Sequence, residues 1–215
     1  RHWYESGVEN DITSCMIALA LLNLKSVGAS RNPTRAKSLL EEAWRLGDSR
    51  AAATLGEMYL KGDGVLEDHA LAFDWYCKGA RAGDPESIFY YGWMNEAGKG
   101  TDKNPKEAER WYRIGAESGN TVAQVRLGRL YLRGEGIPRN GTEAVRWLMA
   151  AVESGSTEAM MSLGTTYQHG IGVIKNPDEG FRWFMRAAEA GSADGESMVA
   201  ELLYSGDGVE LNREE

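Results

Sequence analysis

The stretch RAAATLGEMYLKGDG, residues 50–64, decides the fold because it combines a helical apolar pattern with glycines that recur along the chain. Ala51, Leu55 and Tyr59 lie at i, i+4 and i+8, on one face of a helix. The stretch closes on Gly-Asp-Gly, and glycine readily adopts the left-handed conformation that ends a helix. The pattern therefore predicts an amphipathic helix that stops at its glycines.

A period of 36 residues organises the glycines of the whole chain. Of the 26 glycines, 20 fall in four rows that repeat at this interval, so they mark boundaries between elements. The rows run from Gly28 to Gly208, from Gly47 to Gly191, from Gly56 to Gly164 and from Gly62 to Gly206. Because the register holds from Trp3 to Asn212 without insertion or deletion, the chain is predicted to be an internal-repeat protein.

Each repeat is predicted to contain a second helix with its own start and stop signals. Good N-cap residues recur at Asn32, Asp68, Asn104, Asn140 and Asn176. Proline follows three of these caps, at the first helical position, in Pro33, Pro105 and Pro177. A glutamate three residues after a cap predicts a capping box at Glu107, Glu143 and Glu179. The second helix is predicted to stop at the row that begins with Gly47.

Tryptophan recurs at the same interval on the second helices, where it is interpreted as packing between helices. The row consists of Trp3, Trp75, Trp111, Trp147 and Trp183, with Leu39 in the remaining slot. Trp44 is interpreted as a core aromatic that compensates for Leu39. The row of Gly56 is predicted to let the small alanines of the second helix, such as Ala72, approach the first helix closely.

Composition narrows the function classes. The net charge of −8 argues against non-specific nucleic-acid binding. The sequence contains no run of 18 apolar residues, so no membrane-spanning helix is predicted. Cys15 and Cys77 show no metal-ligand spacing and are expected to be buried. His2, His69 and His169 form no HExxH pair, and no G-x-S-x-G elbow occurs. An enzyme, a metal site and a cofactor are therefore not expected.

The repeated pattern A-x-x-x-L-G-x-x-Y-x-x-G-x-G-V, followed by A-x-x-W-[YF]-x-x-A-A/G, resembles the Sel-one-like repeat family, a relative of tetratricopeptide repeats. The resemblance implies an all-α, right-handed superhelix (solenoid) of about six helix-turn-helix repeats of 36 residues. It also implies a concave surface that binds other proteins as an adaptor or scaffold.

A single solenoid domain is expected over residues 1–215, as a segment of a longer array, because neither end carries a capping helix. The uncapped ends also allow self-association. Its predicted divisions are a partial repeat 1–10, repeats 11–46, 47–82, 83–118, 119–154 and 155–190, and a partial repeat 191–215.

The resemblance also places candidate partner-binding residues in the groove positions of the first helices. They are Glu57, Lys61, Phe89, Trp93, Glu96, Arg129, Leu132, Arg133, Met161, Gln168 and His169. Phe89 and Trp93 are expected to be apolar anchors, Arg129 and Arg133 to pair with carboxylates, and Leu132 and Met161 to form an apolar floor. Glu57 and Lys61 are expected to set the partner's orientation.

The stretch ESIFYYGWMNEAG, residues 86–98, carries four aromatic residues, of which Tyr91 falls in a core row. Phe89 and Trp93 fall in groove rows, and the alternative is that they fill space beside Asn95. If they bind a partner, Trp93→Ala is expected to weaken binding tenfold or more with little change in melting temperature.

Two other functions stay open at this point. One is an inhibitor or immunity protein that neutralises a single secreted toxic enzyme, and the other is a structural spacer within a longer array. The partner is expected to be a protein or peptide in each binding case, without nucleic acid or membrane insertion. For location, the resemblance alone suggests the bacterial periplasm, secretion or the endoplasmic-reticulum lumen.

Overall fold

The computed structural model describes residues 12–25 and 31–205, and these contain eleven α-helices and no strand. The helices are α1 (Thr13–Lys25), α2 (Pro33–Arg45), α3 (Arg50–Lys61), α4 (His69–Arg81), α5 (Pro85–Ala97), α6 (Pro105–Glu117), α7 (Thr121–Arg133), α8 (Gly141–Glu153), α9 (Thr157–His169), α10 (Pro177–Glu189) and α11 (Ala193–Ser205). The all-α prediction is confirmed. His2, Trp3, Gly28, Gly206, Gly208, Asn212 and the partial repeat 1–10 lie outside the described residues.

The chain divides into two compact units, the first extending to Trp111 and the second starting at Tyr112. Within the first unit, α1 packs against α2 and α3 packs against α4. Within the second unit, α7 packs against α8 and α9 packs against α10. Each of these pairs joins a first helix to the second helix of the same repeat, as the sequence pattern predicts.

The predicted N-caps are confirmed at every second helix. The cap side chains accept the backbone N–H three residues later, at 2.9–3.2 Å, in Asn32, Asp68, Asn104, Asn140 and Asn176. Four first helices, α3, α5, α7 and α9, end at glycines in the left-handed conformation, of which Gly62 has φ 67°. The second helices also end just before positive-φ glycines, in the row that begins with Gly47.

The capping-box prediction is wrong for one of its two hydrogen bonds, the one from the backbone N–H of the cap residue to the glutamate side chain. The backbone N–H of Asn104 donates to the carbonyl oxygen of Asn95 at 2.8 Å, and that of Asn140 donates to Tyr131 at 3.1 Å. Because each cap N–H already has this partner on the preceding helix, the glutamate is not needed there. Glu107 instead accepts the indole N–H of Trp111 at 2.6 Å.

The same exchange recurs one repeat later, where Glu143 accepts the indole N–H of Trp147 at 3.2 Å. At the corresponding place in α10, Glu179 forms an ion pair with Arg182 at 3.5 Å. The recurrent glutamate therefore belongs to its own helix's surface network, while the cap N–H ties the second helix to the first.

The interior glycines of the first helices allow close approach of the second helix, and their contacts include the predicted alanine row. A Cβ at Gly128 would lie 3.1 Å from the carbonyl oxygen of Ala144 and 2.8 Å from the Leu148 side chain. A Cβ at Gly56 would lie 2.9 Å from the Tyr76 ring, and one at Gly164 would lie 2.4 Å from the Phe184 ring. Leu148, Tyr76 and Phe184 are buried and stand one helical turn after the alanine row. The glycine therefore makes room for that row and for the core side chain one turn beyond it.

The tryptophan row packs as predicted where the structure describes it. Trp111, Trp147 and Trp183 are buried. Trp75 is half-buried and meets Trp44 edge-on, with ring centroids 6.0 Å apart, so Trp44 does contact the core of the first unit. The expectation for the cysteines is wrong, because Cys15 and Cys77 are both free and only half-buried.

Candidate functional site

The predicted partner-binding residues lie on first helices in both units. The first unit carries Glu57 and Lys61 on α3, and Phe89, Trp93 and Glu96 on α5. The second unit carries Arg129, Leu132 and Arg133 on α7, and Met161, Gln168 and His169 on α9.

Between α7 and α9, the second unit forms a solvent-open cavity of about 300 Å³, which we call the α7–α9 cavity. Four of the six predicted residues of this unit line it, together with four further residues: Arg129, Leu132, Arg133, Met161, Ser162, Thr165, Thr166 and Ile171. The structure thus brings together side chains that the repeat pattern placed on two different helices. Ser162, Thr166 and Ile171 were not among the predicted residues.

Ile171 could have been found from the sequence. It lies in the glycine loop after α9, where the three preceding repeats place the charged residues Asp63, Lys99 and Glu135 and the first repeat places Val27. An apolar residue where the three preceding repeats are charged is a signal that the loop contacts something apolar. Here it lines the cavity with Leu132.

The hydroxyl groups that line the cavity donate hydrogen bonds to backbone carbonyl oxygens of α9. Ser162 donates to the carbonyl oxygen of Glu158 at 2.7 Å, Thr165 to that of Met161 at 3.0 Å, and Thr166 to that of Ser162 at 2.7 Å. These groups therefore add little hydrogen-bond donor capacity to the wall. Leu132, Met161 and Ile171 make the remaining lining apolar, apart from the two arginines.

Arg129 is held by residues of the facing helix. Its Nε–H donates to the Ser162 hydroxyl at 3.0 Å, and its guanidinium also forms an ion pair with Glu158. A carboxylate from a partner would have to displace Glu158 to reach that nitrogen. Arg133 is exposed at the end of α7 and lines the cavity rim.

The other two predicted residues of the second unit lie outside this lining. Gln168 is half-buried against α10, where a Cβ at Gly180 would lie 3.1 Å from its side-chain oxygen. His169 is exposed at the last residue of α9. The structure does not bring either side chain to the cavity.

In the first unit, Phe89, Tyr90 and Trp93 form a half-buried cluster on α5, which we call the aromatic corner. The ring of Tyr90 lies 5.3 Å from that of Phe89 at 71°, and 6.3 Å from that of Trp93 at 86°. Tyr90 also stacks on the buried ring of Tyr76 at 4.9 Å. Tyr90 was missed in the sequence because its row carries polar residues in other repeats, such as Ser162.

Two neighbours of the aromatic corner are buried. Tyr91 is buried in the core of the first unit, as predicted. Asn95 is also buried, and its side-chain amide donates to the carbonyl oxygen of Tyr91 at 2.8 Å. Its hydrogen-bonding needs are therefore met within α5.

Carboxylates lie near the first turn of α5, before the aromatic corner. Glu86 lies one helical turn before Tyr90 and keeps an exposed surface, yet the surrounding protein desolvates its carboxyl group. This desolvation, followed by the negative charges of Glu57 and Asp84, raises the pKa of Glu86. Burial, followed by the effects of Tyr90, Glu57 and Glu86, also raises the pKa of Tyr76.

The other predicted residues of the first unit lie near these groups or at the end of α5. Glu57 and Lys61 form an ion pair one turn apart on α3. Both line a cleft of about 220 Å³ beside α1, with Lys25 and Asp63 among the other lining residues. Glu96 is half-buried in the last turn of α5.

No group of three or more histidine, cysteine, aspartate or glutamate side chains in residues 12–25 and 31–205 is arranged to hold a metal ion. None of the helices described in these ranges has the length and apolar content needed to cross a bilayer.

The family model described as Sel1 repeat matches residues 13–48, 49–84, 85–120, 121–156 and 157–192. These matches begin two residues later than the repeat boundaries predicted from the sequence pattern. Each match contains one first helix and the second helix that follows it. No curated protein sequence matches the chain.

Solved structures show the same fold. A protective antigen of uropathogenic Escherichia coli with an SLR fold has a TM-score of 0.87 at 28% identity, covering 97% of this chain. This chain spans only 44% of the length of that protein. A Sel1 repeat protein from Oxalobacter formigenes has a TM-score of 0.82 at 28% identity, covering 94% of this chain and 83% of its own.

An immunity protein from Pseudomonas aeruginosa is more distant, with a TM-score of 0.52 at 23% identity. The match covers 89% of this chain and 70% of the immunity protein. At this level of identity the likeness concerns the fold alone.

Proposed function

Because this chain belongs to the Sel1 repeat family, we propose that it is a non-catalytic scaffold that binds a partner protein through an apolar side chain inserted into the α7–α9 cavity. Sel1 repeat proteins mediate protein–protein interactions and are generally not enzymes. The observation that carries the proposal is the cavity itself. It joins Leu132, Met161 and Ile171 into one apolar surface between two helices.

The size of the cavity favours a side chain over a cofactor. Pockets for small molecules span about 300–1,000 Å³, and this cavity, at about 300 Å³, stands at the lower end. Burying one leucine, methionine or phenylalanine side chain contributes about 1.5–3 kcal/mol. A single anchor of this kind is typical of the few residues that dominate a protein–protein interface.

The chemistry of the lining supports the same conclusion. The three hydroxyl groups donate to backbone carbonyls of α9, and Arg129 is already paired with Glu158. A highly polar ligand would therefore find few groups able to replace its bonds to water. An apolar side chain would lose no hydrogen bonds on entering.

A blocked-cavity variant tests the proposal. Thr165 is exposed and lines the cavity, and Trp93 occupies the matching position two repeats earlier. Thr165→Trp should therefore fold while filling the cavity with an indole. Thr165→Val keeps the size of the natural side chain and serves as the control.

Immobilised wild-type protein would be used to select peptides from a random displayed library, and their affinities would be measured by calorimetry. We expect the selected peptides to share an apolar residue. Their affinity should fall at least tenfold with Thr165→Trp and change less than twofold with Thr165→Val. Circular dichroism would first establish that both variants fold.

Two outcomes would contradict the proposal. Equal binding to wild type and Thr165→Trp would place the contact elsewhere on the chain. Failure to select any peptide from a diverse library would favour a structural spacer or an inhibitor of one folded enzyme, the two functions that the sequence left open.

A further inference from the structure

The rings of the aromatic corner meet edge to face. The planes of Phe89 and Trp93 stand at 71° and 86° to that of Tyr90. Tyr76 supports Tyr90 from within the unit by stacking on it at 20°. The corner thus offers ring surfaces in two orientations around one point on α5.

This arrangement belongs to one repeat only. The positions matching Phe89 and Trp93 are Val125 and Arg129 in the next repeat. One repeat further on they are Met161 and Thr165, which line the α7–α9 cavity. The two surfaces therefore occupy equivalent rows and differ in chemistry.

The charges beside the corner are predominantly negative. Glu86 stands one turn before Tyr90, and Asp84 caps α5 by accepting the backbone N–H of Ser87 at 2.7 Å. Glu57 contributes to the same potential, although Lys61 offsets part of it. The raised pKa of Glu86 reflects this crowding of carboxylates as well as desolvation.

Aromatic rings in this chain already attract cations. The guanidinium carbon of Arg146 lies 4.3 Å from the ring centroid of Trp147, and that of Arg186 lies 4.4 Å from Trp183. At the corner itself, the ammonium of Lys99 lies 5.6 Å from the Trp93 ring, a longer contact than either. Trp93 is half-buried, so it keeps part of its surface exposed beside Lys99.

We propose that the aromatic corner binds an arginine side chain of the partner protein, with the guanidinium stacked on the rings and paired with Glu86. A guanidinium is planar, stacks on aromatic faces and matches a carboxylate with two parallel N–H groups. This inference rests on the proposed function and adds the chemistry of a second contact. It predicts a partner protein that carries an exposed arginine as well as an apolar residue.

A titration of the ¹⁵N-labelled protein with hexa-arginine peptide, followed by NMR, tests the proposal. We expect chemical-shift changes to concentrate on the amides of residues 86–93 and on the Trp93 indole N–H. Glu86→Gln should weaken binding at least threefold, and Trp93→Leu should do the same. Hexalysine should bind at least threefold more weakly than hexa-arginine.

Glu158→Gln is the matched control. Glu158 occupies the same repeat position as Glu86, and its substitution changes the net charge equally. We expect it to leave hexa-arginine binding at residues 86–93 unchanged. Equal weakening by both substitutions, or shifts spread over all acidic surfaces, would show non-specific attraction to the chain's net charge of −8 and overturn the proposal. Equal affinity for hexalysine would overturn the assignment to arginine.

The same spectra separate this proposal from the proposed function. Hexa-arginine carries no apolar side chain, so the resonances of Met161 and Ile171 should not respond to it. If hexa-arginine fails while selected peptides still require an open α7–α9 cavity, only this inference is lost. If hexa-arginine binds at the corner but no peptide depends on the cavity, the cavity proposal is lost and the corner stands as an isolated cation site.

Discussion

The Nε–H of Arg129 on α7 donates a hydrogen bond to the hydroxyl oxygen of Ser162 on α9, at 3.0 Å. Ser162 in turn donates to the carbonyl oxygen of Glu158 at 2.7 Å. Because Arg129 and Ser162 both line the α7–α9 cavity, this chain of bonds holds its two helical walls together. A cavity that is already formed lowers the ordering cost of inserting a side chain.

The ion pair between Arg129 and Glu158 should contribute little to stability. Their side chains retain 38% and 50% of their exposure, and exposed pairs typically contribute up to about 1 kcal/mol. We expect Arg129→Gln and Glu158→Gln each to lower the free energy of unfolding by about 1 kcal/mol or less. Urea unfolding of both variants and the double variant gives the coupling energy. A coupling above about 2 kcal/mol would show that the pair is part of the buried framework.

Gly164→Ala should destabilise the second unit despite alanine's higher helix propensity. The new Cβ would lie 2.4 Å from the Phe184 ring, and such overpacking costs about 1–3 kcal/mol. Urea unfolding would measure the loss, and it should shrink in a Phe184→Leu background that provides more room. A gain of about 1 kcal/mol, as propensity alone predicts, would contradict the close packing.

Glu86→Gln should raise the melting temperature at pH 7. The pKa of Glu86 is raised in the folded protein above its ordinary value of 4.5, so the folded state binds its proton more tightly than the unfolded state. Ionised Glu86 therefore lowers the free energy of unfolding. This loss disappears as the pH falls through the raised pKa of the folded state to below 4.5.

Melting curves of wild type and Glu86→Gln between pH 3.5 and pH 7 would check this dependence. The advantage of the variant should shrink steadily over the lower part of the range. Glu158→Gln, at the matching repeat position, removes an ion pair with Arg129 and should lower the melting temperature at pH 7 instead. An advantage for Glu86→Gln that is independent of pH would contradict the electrostatic origin.

Trp93→Ala should cost stability as well as binding. Trp93 is half-buried against the core of the first unit, so the sequence-based expectation of an almost unchanged melting temperature is revised. We expect a loss of about 2 kcal/mol, compared with about 3–5 kcal/mol for the buried Trp111. Urea unfolding of both variants gives the comparison. Equal losses would make the aromatic corner a core feature and leave it no surface for a partner.

Helix boundaries could be predicted from the sequence because their causes are local. The Asn140 cap bonds to a backbone N–H three residues away, and Gly62 needs only its own backbone freedom. The reciprocal bond of the capping box failed because the competing acceptor, the Tyr131 carbonyl oxygen, lies on another helix. Its position is set by packing, which a local rule does not include.

The candidate sites could be predicted only in part for the same reason. The repeat rows identified Leu132 and Met161, which do line one cavity. They missed Tyr90, whose row carries Thr54, Arg126 and Ser162 in other repeats, and the pairing of Arg129 with Glu158, which depends on the spacing of α7 and α9. The position of a residue in its repeat predicts which face of a helix it occupies. It does not predict which residue of another helix it contacts.

The most direct test of the central claim is a nuclear Overhauser measurement between a selected peptide and the methyl groups of the protein. Methionine-methyl labelling would report on Met161, with Met149 on α8 as an exposed methionine of the same unit that does not line the cavity. We predict contacts from the peptide's apolar side chain to Met161 that disappear in Thr165→Trp. Contacts to Met149 without any to Met161 would contradict the proposal that the partner's side chain enters the α7–α9 cavity.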